Sequence, residues 1–156
     1  MEPDLAHIAR ESDAAVEAAR TRLVEAVRDA TRAGMTQQQI AEQIGRSQPE
    51  VNRLLRFHGS TPHARALRQH RAEIRSRLRA VGGRNVRVFG STARGAERPD
   101  SDVDLLFEMR EPLSLMQLSA VENELSRLLG LQVDLVAESS LRPDLREGIV
   151  NEAVPL

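Results

Sequence analysis

Cysteine, lysine, tryptophan and tyrosine are all missing from this 156-residue chain, and phenylalanine occurs only three times. Without cysteine there is no disulfide, no thiolate metal site and no cysteine nucleophile. Without Tyr or Trp, stacking of bases on aromatic platforms is a poor binding mode. No apolar run approaches the roughly 18–20 residues that a membrane-spanning helix needs. The start, Met1-Glu2-Pro3-Asp4, is acidic and has no signal-peptide pattern. The expectation is a cytoplasmic protein with no membrane partner. The length accommodates one ordinary domain or two small ones.

The formal net charge is −1, so the total says nothing about partners, but the distribution does. All 22 cations are arginine. Between positions 63 and 98 there are 10 Arg against 2 acids, and from 99 to 156 there are 4 Arg against 12 acids. A basic block therefore precedes an acidic half. The block reads either as a contact for nucleic-acid or nucleotide phosphate or as a solvated helix face.

The first third of the chain is helical in pattern. From about Asp4 to Arg32 the interior has no Gly or Pro, and Val16, Ala19, Leu23, Ala26, Val27 and Ala30 recur at helical spacing. Gly34 stops this helix. Thr36 caps a second helix, Gln37 to Ile44, with Gln39 at the capping-box position. Gly45 turns the chain, and Ser47 caps a third helix from Gln48 to about Phe57, with Pro49 in its first turn. Two short helices around a Gly-containing turn describe a helix-turn-helix, and residues 34–54 resemble the phage-repressor-like DNA-binding type. Ile40, Ala41 and Ile44 pack one side of the first helix of the pair, and Val51, Leu54 and Leu55 anchor the second. Gln48, Asn52 and Arg53 are left to read base edges, while Gln37 and Ser47 lie where phosphate passes. The alternative is a helical interaction module with no DNA contact. The domain limits expected are 1–58 for this module, a linker at 59–62, and a second domain at 63–156.

The second domain opens with an amphipathic helix from about His63 to Val81, ended by Gly82-Gly83. Strands are expected at Val86–Phe89, Val103–Glu108 and Leu131–Ala137. Helices are expected at Ser91–Gly95, Leu113–Leu129 and Asp144–Glu152. The fold class is α+β: an all-α module followed by a small mixed sheet flanked by helices.

The most informative stretch is Phe89-Gly90-Ser91, then ten residues, then Asp102-Val103-Asp104. Glycine lets backbone N–H groups approach a phosphate, and a Ser hydroxyl and a helix start add donors. Carboxylates at i and i+2 of a strand share one face, about 6–7 Å apart, where they can hold a hard divalent cation. Asp134, flanked by the core residues Val133 and Leu135, is a third carboxylate for the same face. Asp100, nearer the turn, reads as structural or as a support to the metal-binding carboxylates. No histidine has a metal-ligand partner at useful spacing, so His7, His58, His63 and His70 read as surface residues.

These residues, with Ala93-Arg94-Gly95 and Val133-Asp134-Leu135-Val136, resemble the polymerase-β-type minimal nucleotidyltransferases over roughly Pro62 to Leu156. The resemblance implies Asp102, Asp104 and Asp134 as metal-binding and catalytic carboxylates, with Mg²⁺ as the ion. It implies Gly90, Ser91 and Arg94 as nucleotide-phosphate ligands, Arg94 being open also to a salt bridge with an acid such as Asp100. Arg87 is a weaker candidate for the nucleotide pocket. Many relatives carry Arg where this chain has Thr92. The last residues, Pro143 to Leu156, resemble the usual end of such domains, so no appended acceptor-recognition domain is expected. The implied activity is transfer of AMP from ATP to a hydroxyl of a partner protein. The implied setting is a toxin–antitoxin pair whose cognate toxin is a HEPN ribonuclease, with operator DNA and a homodimer as further partners. Two other readings are a non-catalytic DNA-binding repressor and a tRNA-modifying toxin.

Overall fold

A computed structural model describes residues 4–57, 59 and 61–156. Among these the backbone separates into two compact units, divided between Leu55 and Arg56.

The first unit holds α1 (Leu5–Arg32), α2 (Gln37–Ile44) and α3 (Gln48–Leu55). The Asp4 side chain caps α1 by accepting the His7 N–H. Thr36 and Gln39 exchange the reciprocal bonds of a capping box at α2, and Gly45 closes that helix at φ +66°. At the start of α3, Glu50 accepts from the Ser47 N–H at 2.7 Å while its own N–H donates to Ser47 Oγ at 3.4 Å. The core is Val24, Val27, Ile40, Ala41, Val51 and Leu54, with Leu23, Ile44 and Leu55 against it. The apolar stripe expected along α1 is used only at its C-terminal end. Val16 is 69% exposed and Ala19 is exposed as well, because α2 and α3 are short and reach only the last turns of α1.

The second unit begins earlier than the expected position 63. Phe57 is buried in its core, and its N–H donates to the Pro155 carbonyl at 2.7 Å. Of the expected linker 59–62, Gly59, Thr61 and Pro62 are described; His58 and Ser60 lie outside the described residues. The single helix expected over 63–81 is two helices, α4 (Pro62–Gln69) and α5 (Arg71–Ala80). They break at His70, whose backbone (φ −103°, ψ 16°) leaves the helical basin.

A four-stranded sheet follows, built from β1 (Gly83–Phe89), β2 (Val103–Met109), β3 (Val133–Ala137) and β4 (Val154–Pro155), in the order β3-β2-β1-β4. β1 runs antiparallel to β2 and β4, and β2 runs parallel to β3. β4 was not foreseen: a two-residue strand has no periodicity, and its pairing with Arg87 and Val88 is decided by the sheet edge. α6 (Gly90–Arg94) leaves β1 directly, α7 (Leu115–Leu129) is capped by Ser114 and Gln117, and α8 (Pro143–Glu152) precedes β4.

Alternation along the strands assigns the two faces. Val88, Val103, Leu105, Phe107, Val133 and Leu135 face the main core, with Leu67, Ile74, Leu78, Val121 and Leu125 from the helices. Burying each of these side chains contributes about 1.5–3 kcal/mol. The opposite face carries the row Phe89, Asp104, Asp134, and beside it the row Arg87, Leu106, Val136. Among the described residues no helix is long and apolar enough to cross a membrane.

Candidate active site

Register brings the carboxylates together. Asp104 and Asp134 are direct partners on the parallel strands β2 and β3, and Phe89 is the partner of Asp104 on β1. Adjacent strands lie about 4.8 Å apart, so the two side chains stand side by side on one face. Asp102 lies one residue before β2 and is exposed; Asp104 and Asp134 are half-buried.

The chain leaves β1 at Phe89 and turns at Gly90, whose φ is +74°. An ideal Cβ at Gly90 would overlap Asp104 Oδ2 and lie 3.2 Å from Asp104 Cγ. The turn therefore sits directly against that carboxylate, and the half-buried Ser91 follows it. Thr92 is buried, pointing away from solvent, so position 92 offers no phosphate contact here.

The charges report the crowding. Asp104 is pushed up to about 6, first by burial and then by the negative charges of Asp134, Asp102 and Glu152, with Arg94 acting the other way. Asp134 is raised by burial, then by Asp102 and Glu122 and a hydrogen bond with Asp102. Among the described residues no three such side chains converge into a ready-made metal shell. Mg²⁺ does not require one, because it is held by one or two carboxylates together with substrate phosphates and waters. Hard oxygen donors whose proton affinity is raised by one another's charge fit such a cation.

Arg94 is exposed and donates to Glu152 Oε1, so its partner is an acid of α8 and not Asp100. Arg87 is buried and engaged by acids. It bonds Glu138 and lies 3.7 Å from Glu108, while Arg146 bonds the other oxygen of Glu138 at 2.7 Å.

One of the expected surface histidines is not at the surface. His63 and Glu97 have side chains about 4% exposed, and His63 Nδ1 lies 2.9 Å from Glu97 Oε2, within ion-pair range although the angle is poor for a hydrogen bond. The His63 N–H donates to Glu97 Oε2 at 3.0 Å, and Thr61 Oγ1 donates to Glu97 Oε1. This pins the loop after α6 to the start of α4. Glu122 does similar work from α7, accepting the Leu135 N–H at 2.9 Å next to Asp134. Sequence reasoning missed Glu97, Glu122 and Glu152. Their partners lie 34, 13 and 58 positions away, so no local pattern marks them.

A family profile described as "Nucleotidyltransferase domain" matches residues 67–156. The chain belongs to this family. It is 42% identical over 88 residues to the protein adenylyltransferase MntA of Thermococcus cleftensis, covering 56% of this chain and 86% of that relative. A Methanocaldococcus jannaschii protein named for the same activity is 34% identical over 89 residues, covering 56% of this chain and 88% of that protein. Among solved structures, a minimal nucleotidyltransferase superposes with a TM-score of 0.54 at 43% identity, covering 59% of this chain and 94% of its own. A toxin–antitoxin crystal structure with AMP-PNP contains the same fold at 23% identity and a TM-score of 0.50, covering 54% of this chain and 69% of that one. In this nucleotidyltransferase, residues 1–66 fall outside the family match.

Proposed function

We propose that this chain is a Mg²⁺-dependent adenylyltransferase that moves AMP from ATP onto a hydroxyl of a partner protein. The observation that carries the reading is the in-register pair Asp104–Asp134 with Gly90 packed against Asp104. The adenylyltransferase names of the relatives support the choice of nucleotide and acceptor. In this reading Asp102, Asp104 and Asp134 are the metal ligands, and they converge only when the ion and the substrate phosphates are bound. When bound, Mg²⁺ supplies Lewis-acid stabilisation of charge on the phosphates.

The chain's own groups do the rest. The backbone at Gly90-Ser91 and the Ser91 hydroxyl hold phosphate oxygens. Arg94 exchanges Glu152 for phosphate. The acceptor oxygen attacks the α-phosphorus, a new P–O bond forms, the bond to the bridging oxygen breaks, and pyrophosphate leaves. Asp134, whose proton affinity is raised, takes the hydroxyl proton.

The setting we infer is a toxin–antitoxin pair in which the acceptor is the cognate toxin, a HEPN ribonuclease. α2 and α3 serve as a helix-turn-helix that binds operator DNA and represses the pair's own promoter. Exposed Gln48, Asn52 and Arg53 on α3 support this reading, in which Ser47 and Gln37 contact phosphate. A dimer would set two α3 helices on half-sites about one DNA turn apart. The exposed apolar side chains Leu5, Ile8 and Val16 of α1 offer a surface for that second copy.

The test is transfer of label from α-³²P-ATP with Mg²⁺ onto the product of the neighbouring gene. The Asp102→Ala/Asp104→Ala variant and a tRNA pool run alongside. Label on the protein, lost in the variant, is the expected result. Label on tRNA would replace this reading by a tRNA-modifying one. No transfer with promoter DNA still bound would leave a repressor.

A further inference from the structure

Four arginines crowd one corner of the second unit. Arg71 is at the centre: Nη2 donates to the Phe57 carbonyl at 3.0 Å, while Nε is buried and has no hydrogen-bond partner. Arg68 Nη1 donates to the Gly59 carbonyl at 3.2 Å, so two guanidinium groups converge on the same short segment. Burial, and then the charges of Arg56, Arg68 and Arg75, lower the pKa of Arg71. Arg71, Arg75 and Arg79 are spaced i, i+4 on α5, a spacing at which like charges repel.

No carboxylate answers this cluster among the described residues. The two acids of the basic block are engaged elsewhere. Glu97 is buried with Thr61 and His63, and Glu73 lies 3.1 Å from His70 Nδ1. The cluster is also remote in kind from the candidate active site. α5 packs through Ile74 and Leu78 onto the core face of the sheet, opposite the face that carries Asp104 and Asp134.

A partly desolvated guanidinium held among three like charges is a structure short of negative charge. We propose that Arg56, Arg68, Arg71 and Arg75 form a binding site for the phosphodiester backbone of a nucleic acid, separate from the nucleotidyltransferase centre. Guanidinium forks match phosphate oxygens two at a time, and four of them spread over a loop and two helices suit a row of phosphates better than a single one. With no Tyr or Trp in the chain, the contact is to the backbone and independent of base identity. This inference does not rest on the adenylyl-transfer reading.

The experiment uses the full chain, with binding followed by fluorescence anisotropy across a salt series. The probes are a random-sequence DNA duplex and a tRNA pool, whose relative affinity identifies the nucleic acid. The logarithm of affinity falls against the logarithm of salt with a slope of about 0.9 per duplex phosphate neutralised. The Arg68→Gln/Arg75→Gln variant is expected to lose about 2 from that slope on duplex DNA and at least tenfold in affinity at low salt. Arg20→Gln/Arg22→Gln on α1, which removes the same charge away from the cluster, is expected to leave this slope unchanged, which separates the site from a general effect of net charge. Arg75→Lys, which keeps the charge, is expected to retain it. An unchanged slope in the double Gln variant overturns the proposal. So does a loss in Arg75→Lys equal to that in Arg75→Gln, which would mark a structural effect. Displacement by polyglutamate as effective as by nucleic acid at equal charge would overturn it too.

Discussion

Gly90 and Asp104 contend for one volume: the carboxylate of Asp104 occupies the space that a side chain at position 90 would fill, 3.2 Å from its Cγ to an ideal Cβ. The φ of +74° at Gly90 adds a conformation that L-residues adopt at a cost of about 1–2 kcal/mol. Gly90→Ala is therefore expected to displace the Asp104 carboxylate. Adenylyl transfer should fall at least 100-fold while urea denaturation shows a loss of only about 1–2 kcal/mol. Full activity with an alanine at 90 would show that Asp104 does not need its present place.

The raised proton affinity of Asp104 has a definite sign. Its folded pKa of about 6 lies above the ordinary value of 3.8, so folding favours the neutral form. The stabilising contribution is fully present below about pH 4 and is lost as pH rises through about 6. The contribution of Asp104 to the melting temperature of the metal-free protein should thus fall between pH 4 and 7. Mg²⁺ should restore more of it at pH 7.5 than at pH 5, since a cation binds the ionised form. Asp104→Asn should flatten both trends. Scanning fluorimetry with and without MgCl₂ checks this, and parallel curves for wild type and variant would refute it.

Glu97 accepts from Thr61 and from the His63 backbone in a buried setting. Breaking a buried, hydrogen-bonded charge costs about 3–5 kcal/mol. Glu97→Ala is expected to destabilise the second unit by that order and to loosen the loop leading to Asp102. Thr61→Ala removes one donor and should cost about 1–2 kcal/mol. Urea denaturation orders the two, and the reverse order would show that the pair is not what pins the loop.

Ser47 caps α3 through Glu50. Ser47→Ala should cost about 1 kcal/mol, confined to the first unit. Amide exchange on the full chain should show faster exchange in α3 with the protection of β1 and β2 unchanged.

Much of this molecule was legible in the sequence because the signals are local. Thr36-x-x-Gln39 and Ser114-x-x-Gln117 spell their caps in four residues each. Gly45, Gly95 and Gly130 mark helix ends at positive φ. Alternation from Val103 to Phe107 separates core from site face. Long helices were harder. The pattern over 63–81 reads as one helix, yet His70 breaks it, and the stripe on α1 extends well beyond the part that is buried.

Two carboxylates at i and i+2 and a glycine turn twelve residues upstream are determined by the chain alone, since strand alternation and the freedom of glycine act within a few bonds. The sequence also determined that no thiol or Tyr-based chemistry is available. Only the tertiary structure decided the rest. The parallel register of β2 and β3 puts Asp134 beside Asp104, α8 gives Arg94 the partner Glu152, and packing at the start of α4 buries His63 against Glu97. Each of these depends on segments 30 or more positions apart meeting through a shared core. The energy that brings them together is hydrophobic burial, which has no direction, so the local pattern marks which side chains are buried but not which segments meet.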